Sequence, residues 1–151
     1  EGITFGCNPP ANDRFCPGRS VTREEMASFL VRALHLGTSA TDWFTDDEDS
    51  AHEPNINALA QAGITVGCAP ARYCPEKVVA RQEMASYLAR ALSLLATGTD
   101  WFTDDDGSYY EPHINSLRES RITLGCTTTT FCPLGPVTRE QMAAFLHRAL
   151  G

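Results

Sequence analysis

The chain repeats itself every 58 residues, and that period limits its folding more than any other feature. "RFCPGRSVTREEMASFLVRAL" at 14–34 returns as "RYCPEKVVARQEMASYLARAL" at 72–92 and "TFCPLGPVTREQMAAFLHRAL" at 130–150. Cys16, Cys74 and Cys132 keep the offset, as do Arg23, Arg81 and Arg139, and Met26, Met84 and Met142. A second block recurs twice, "TDWFTDDEDSAHEPNINALAQAGITVGC" at 41–68 and "TDWFTDDDGSYYEPHINSLRESRITLGC" at 99–126. A period of this size means small supersecondary units that bury their apolar faces against one another. Each repeat has a front half, from "TDWF" to Gly63 or Arg121, and a back half, from "GITxGC" to "RAL". "EGIT" at 1–4 aligns with "AGIT" at 62–65, so the chain reads as a back half alone (1–37) followed by two repeats (38–96 and 97–151).

Each half predicts one helix. Met26, Phe29, Leu30, Ala33 and Leu34 form a single apolar face at helical spacing. Thr22 with Glu25, and Thr138 with Gln141, match the reciprocal capping box, whereas Ala80 leaves the middle copy without a hydroxyl. In the front half Ile56, Leu59 and Ala60 continue a second helix, which Gly63 stops in the left-handed conformation. Arg121 fills that slot in the last copy at some local strain. Short helices cannot hold themselves in water, so the pattern predicts a mainly α domain of packed helix-loop-helix repeats.

Six cysteines fall into three close pairs, Cys7 with Cys16, Cys68 with Cys74, and Cys126 with Cys132. None has the two-residue gap of a zinc knuckle, and no histidine completes one. Local disulfides are expected, and with them an oxidising, extracellular setting. A formal net charge of −7 argues against a nucleic-acid partner. No apolar run approaches the ~18 residues of a membrane span, so no membrane insertion is expected. The start at Glu1, without Met or a leader pattern, reads as a mature or excised N-terminus. Trp43 and Trp101 read as core wedges rather than sugar platforms, and His35, His52, His113 and His147 follow no repeated pattern. Carboxylate pairs recur in each copy, which suits structure better than one active centre, and no serine or cysteine nucleophile has a repeated base. A non-enzymatic protein is expected.

The layout resembles the S-layer homology repeat, in a cysteine-containing, acidic-loop variant. The motifs that carry the likeness are "FTDD" at 44–47 and 102–105, "GITVG" at 63–67, "FCP" at 15–17 and 131–133, "TREE" at 22–25 and "TREQ" at 138–141. The resemblance implies a pseudo-threefold helical unit on the bacterial cell surface that binds cell-wall polysaccharide. It also implies that Arg23, Arg81 and Arg139 grip an acidic glycan. Glu24, Gln82 and Glu140 stand where such repeats carry alanine, and an acid beside the arginine should weaken an anionic ligand.

The acidic loops, "DDEDSAHE" at 46–53 and "DDDGSYYE" at 104–111, admit two readings. In one, Ser50 and Ser108 are N-caps, Glu53 and Glu111 complete capping boxes, and the aspartates favour the positive helix end. In the other, the loops bind calcium, which takes six to eight oxygens. Asp46, Glu48 and Ser50 alternate, as do Asp104, Asp106 and Ser108; with Asp47, Glu53, Asp105 and Glu111 they make the candidate ligand set. The calcium reading accounts for the density of charge.

The expected function is a calcium-stabilised extracellular surface module that builds a layer or filament from copies of itself. The alternative is an anchor for anionic cell-wall polysaccharide. The first back half, with Ile3, Phe5, Met26, Phe29, Leu30 and Leu34, is expected to leave its apolar stripe uncovered and open to a neighbouring subunit.

Overall fold

A computed structural model describes residues 2–96 and 98–151. Among them lie five helices: α1 (Arg23–Leu34), α2 (Glu53–Gln61), α3 (Arg81–Ala91), α4 (Glu111–Glu119) and α5 (Arg139–Leu150). The back halves supply α1, α3 and α5, and the front halves supply α2 and α4. Capping follows the sequence. Thr22 accepts from the Glu25 N–H and Thr138 from the Gln141 N–H, with the reciprocal bonds in place. Ala80 has no acceptor to offer, and only the Glu83 carboxylate reaches back, 2.9 Å from the Ala80 N–H. Gly63 (φ 72°) and Arg121 (φ 60°) both take the left-handed conformation. In each case the next N–H returns to the helix, Ile64 to the Leu59 carbonyl and Ile122 to the Leu117 carbonyl.

The repeats join in a closed cycle. The N–H of Val21 bonds the Val137 carbonyl, Val137 bonds Val79, and Val79 bonds Val21, at 2.9, 3.0 and 2.9 Å. All three valines are fully buried. One step outward, Arg23 donates its backbone N–H to Lys77, Arg81 to Gly135 and Arg139 to Arg19. Each repeat thus grips the next in the same way, and the last grips the first. The three disulfides, Cys7–Cys16, Cys68–Cys74 and Cys126–Cys132, each close a loop within one repeat, as the spacing predicted.

Of the stripe expected to lie uncovered, Phe5 is 60% exposed, but the helix positions are covered. Met26, Phe29 and Leu30 of α1 are buried, because α1 packs against α2, as α3 packs against α4. A back-half helix is covered by the front half that follows it, not by the one before it. The face left open belongs to α5. Ala143 is exposed there, whereas its counterparts Ala27 and Ala85 are fully buried. Phe15, beside this face, is 39% exposed, while its counterparts Tyr73 and Phe131 are 0% exposed beneath the rings of Phe44 and Phe102. The result is an apolar groove of ≈ 300 Å³ bounded by Ile3, Phe15, Phe29, Met142, Leu146 and Leu150.

Trp43 and Trp101 are not core wedges: they are 45% and 38% exposed. The wedge is the following residue, Phe44 or Phe102. The tryptophans sit at the surface with their backbone N–H held by Asn57 and Asn115, and Arg118 stacks on Trp101 at 4.8 Å.

Candidate functional site

The three repeat arginines lie on the seams of the cycle. Each sits at the first position of its helix, so its side chain lies against the neighbouring repeat. Arg23 donates Nε–H to the Tyr73 carbonyl at 2.7 Å, Arg81 to Phe131 at 2.8 Å, and Arg139 to Phe15 at 2.7 Å. Each guanidinium also lies between two rings of the next copy: Tyr73 and Tyr87 for Arg23, Phe131 and Phe145 for Arg81, Phe15 and Phe29 for Arg139. All three arginines are buried. Burial pulls the pKa of Arg81 and Arg139 below the ordinary arginine value. The planar fork and its stacking make arginine suited to this place.

Arg23 has capacity to spare. Its Nη1 meets Glu83 at 3.2 Å, but its buried Nη2 has no hydrogen-bond partner. The residue forms part of the wall of a groove of ≈ 300 Å³ where the three repeats meet, shared with Thr65, Gly67, Lys77, Arg90 and Tyr109. Three cations, Arg23, Lys77 and Arg90, face one acid there, Glu83, although the whole chain is acidic. Tyr109 is largely exposed and accepts from Arg90 at 3.2 Å. Glu24 is not part of this groove. It lines an adjoining groove that shares Lys77, where its carboxylate accepts the Ser50 hydroxyl at 2.7 Å.

The acidic loops divide their labour. Asp46 spends both carboxylate oxygens on backbone, taking the N–H of Tyr73 at 2.7 Å and of Cys74 at 2.9 Å. Asp104 does the same for Phe131 and Cys132, at 2.7 and 2.8 Å. These aspartates hold the cysteine loop that presents the core aromatic. The neighbouring Asp47 and Asp105 turn inward, 1% and 2% exposed, and none of their four oxygens has a hydrogen-bond partner. Burial, with nearby acids adding to it, pushes each carboxyl up to about 6; the residue's own N–H opposes this only in part. Asp42 is the foremost of those acids for Asp47, and Asp100 for Asp105.

Ser50 and Ser108 do not cap a helix. The N-cap positions are His52 and Tyr110, with no side-chain cap, and the two serine hydroxyls instead accept the N–H of those residues at 3.1 Å. Glu111 reaches back to the Gly107 N–H at 2.8 Å. In the last loop, carboxylate oxygens of Asp100, Asp105 and Asp106 lie within 4.8 Å of one another. Asp100 was outside the predicted ligand set. Its signal in the sequence was the repeated acid before each tryptophan, Asp42 and Asp100.

The S-layer homology domain model matches residues 102–143, which run from the wedge Phe102 to the open face of α5. Over these residues the chain matches an S-layer homology domain. It is similar over 93% of its length, at 28% identity, to a surface-layer 125 kDa protein of Lysinibacillus sphaericus, of which it covers 12%. An S-layer protein of Bacillus thuringiensis subsp. finitimus is 29% identical over 91% of the chain, which covers 18% of that protein. An endoglucanase of Bacillus sp. (strain KSM-635) is 31% identical over 64% of the chain, which covers 10% of it. The chain therefore spans less than a fifth of each of these relatives. The S-layer homology match and the two S-layer relatives place the chain at the bacterial cell surface. No helix among the described residues is long and apolar enough to cross a membrane.

Proposed function

We propose that the chain is a non-enzymatic anchoring module that holds its parent protein to an anionic cell-wall polysaccharide. The groove where the three repeats meet carries the reading. It gathers three cations in a chain of net charge −7, and two of them, Lys77 and Arg90, are open to solvent. A carboxylate or phosphate on a sugar would pair with these two. The acid expected to oppose such a ligand, Glu24, does not line this groove and is bonded to Ser50. The rim tyrosine Tyr109 offers an exposed ring against which a sugar can lie. The surface-layer names of two relatives fit this role.

Cosedimentation with bacterial cell walls tests the proposal, with walls stripped of their acidic secondary polymer as control. Lys77→Glu and Arg90→Glu avoid the buried arginines, so the fold should hold. Binding should fall at least about tenfold in the double variant, the worth of about 1.4 kcal/mol, and should weaken with salt. A double variant that sediments like the parent would refute the groove.

A second reading, self-association into a layer or filament, rests on the apolar face of α5. Light scattering that finds only monomer at high concentration would exclude it.

A further inference from the structure

We propose that Asp100, Asp105 and Asp106 hold a calcium ion in the acidic loop of the last repeat. The case begins with Asp105. It is 2% exposed, and neither carboxylate oxygen has a hydrogen-bond partner. A carboxylate removed from water without donors is among the costliest groups a fold can bury. The sequence places a second aspartate, Asp106, next to it and a third, Asp100, five residues back, and the fold then draws all three together within 4.8 Å. Like charges at that distance repel unless something positive lies between them. Among the described residues no lysine or arginine forms an ion pair with any of the three.

The geometry suits a hard cation. Calcium–oxygen distances of about 2.3–2.6 Å place ligand oxygens on one ion up to about 5 Å apart, and the three carboxylates fall inside that limit. All the donors are oxygen, with no histidine or free thiol in the group, which favours calcium over zinc. Asp100 and Asp106 are exposed, so water can complete the shell. The other acid-and-sulfur grouping, Asp46 with Cys68 and Cys74, is excluded, because its sulfurs are joined in a disulfide and its carboxylate is bonded to backbone.

The middle repeat supports the assignment from a separate part of the chain. Asp47 is 1% exposed, again with both oxygens unpartnered, and Asp42 stands to it as Asp100 stands to Asp105. There Glu48 replaces Asp106, and the carboxylates do not close to the same distance. The last loop is accordingly the stronger site.

The test uses the whole chain, stripped with chelator and free of wall material, so it is independent of polysaccharide binding. Calcium is added during calorimetric titration and thermal melts. At calcium about a hundredfold above its Kd, the melting temperature should rise by about 5–10 °C. The double variant Asp100→Asn/Asp106→Asn alters only exposed side chains, so it should fold. It should lose at least half of that rise and the tightest binding heat, whereas Glu48→Gln should retain most of both. Absence of heat and of a melting shift at millimolar calcium would overturn the proposal. So would a double variant that responds like the parent.

Discussion

Two adjacent aspartates, identical in chemistry, do opposite things in each acidic loop. Asp46 is clamped by backbone donors, and Asp47 is buried without any. Burial of Asp46 works to raise its pKa, but the N–H groups of Tyr73 and Cys74, with Arg72, outweigh it and hold the carboxyl below its ordinary value. Replacing Asp46 by Ala would orphan two part-buried N–H groups, so a loss of about 2–4 kcal/mol in a urea titration is expected. Asp47 and Asp105 set the opposite pH dependence. Their folded pKa values of about 6 lie above the ordinary aspartate value of 3.8. The folded state therefore takes up protons first as the pH falls, and the contribution of these two groups rises between pH 6 and pH 4. In chelator, the melting temperature should be higher at pH 5 than at pH 7.5, and calcium should narrow the gap by favouring the ionised form. A melt in chelator that falls steadily from pH 7.5 to pH 5 would contradict this. The sequence displayed the excess of acid but not its division, because adjacent residues in a loop have no fixed period to tell which one turns inward.

At the scale of elements, periodicity served well where a helix has one apolar stripe and a hydroxyl before it. The back-half helices begin where Thr22 and Thr138 said they would. The front-half helices begin later than the serines suggested, with Pro54 and Pro112 in the first turn and no side-chain cap. Proline supplies the helical φ there without needing a donor partner, a start signal that the nearby serine–glutamate pattern masked. The one uncapped back-half helix offers a direct check. Ala80 has φ −80° and ψ 153°, close to the −82° and 163° of Thr22. Its partner across the cycle is Pro136, as Val78 is for Thr22. Ala80→Thr should therefore complete the box with Glu83 and stabilise the chain by about 0.5–1 kcal/mol. A rise of about 2–4 °C in melting temperature would register it, and no rise would mean that the Glu83 bond alone satisfies the helix start.

At the scale of the molecule, the cycle explains what a linear reading of repeats misplaced. Three buried valines bond in a ring, and each arginine is stacked in the copy ahead of it, so covering follows the ring rather than the chain order. A count of front halves in the sequence shows that one back half lacks its cover; only the hand of the packing shows that it is α5. The groove over α5 has the requirements that α2 meets on α1 and α4 meets on α3. Phe15 awaits an aromatic wedge as Tyr73 receives Phe44, and the apolar positions Met142 and Leu146 await an isoleucine–leucine face. A peptide of residues 38–63 carries Phe44, Ile56 and Leu59 in that order. In the intact chain, α1 and α3 are already covered, which leaves α5 as the helix face open to it. The labelled peptide should bind the chain in a fluorescence anisotropy titration, bury Phe15 and raise the melting temperature. Ala143→Arg decides whether the groove is responsible. Residue 143 is exposed, so the substitution should leave the chain's own melt unchanged. Its counterparts Ala27 and Ala85 are fully buried under α2 and α4, so an arginine there should block the peptide. Equal binding to the parent and the variant would show that the peptide sits elsewhere and that the open face of α5 is not a seat for this helix.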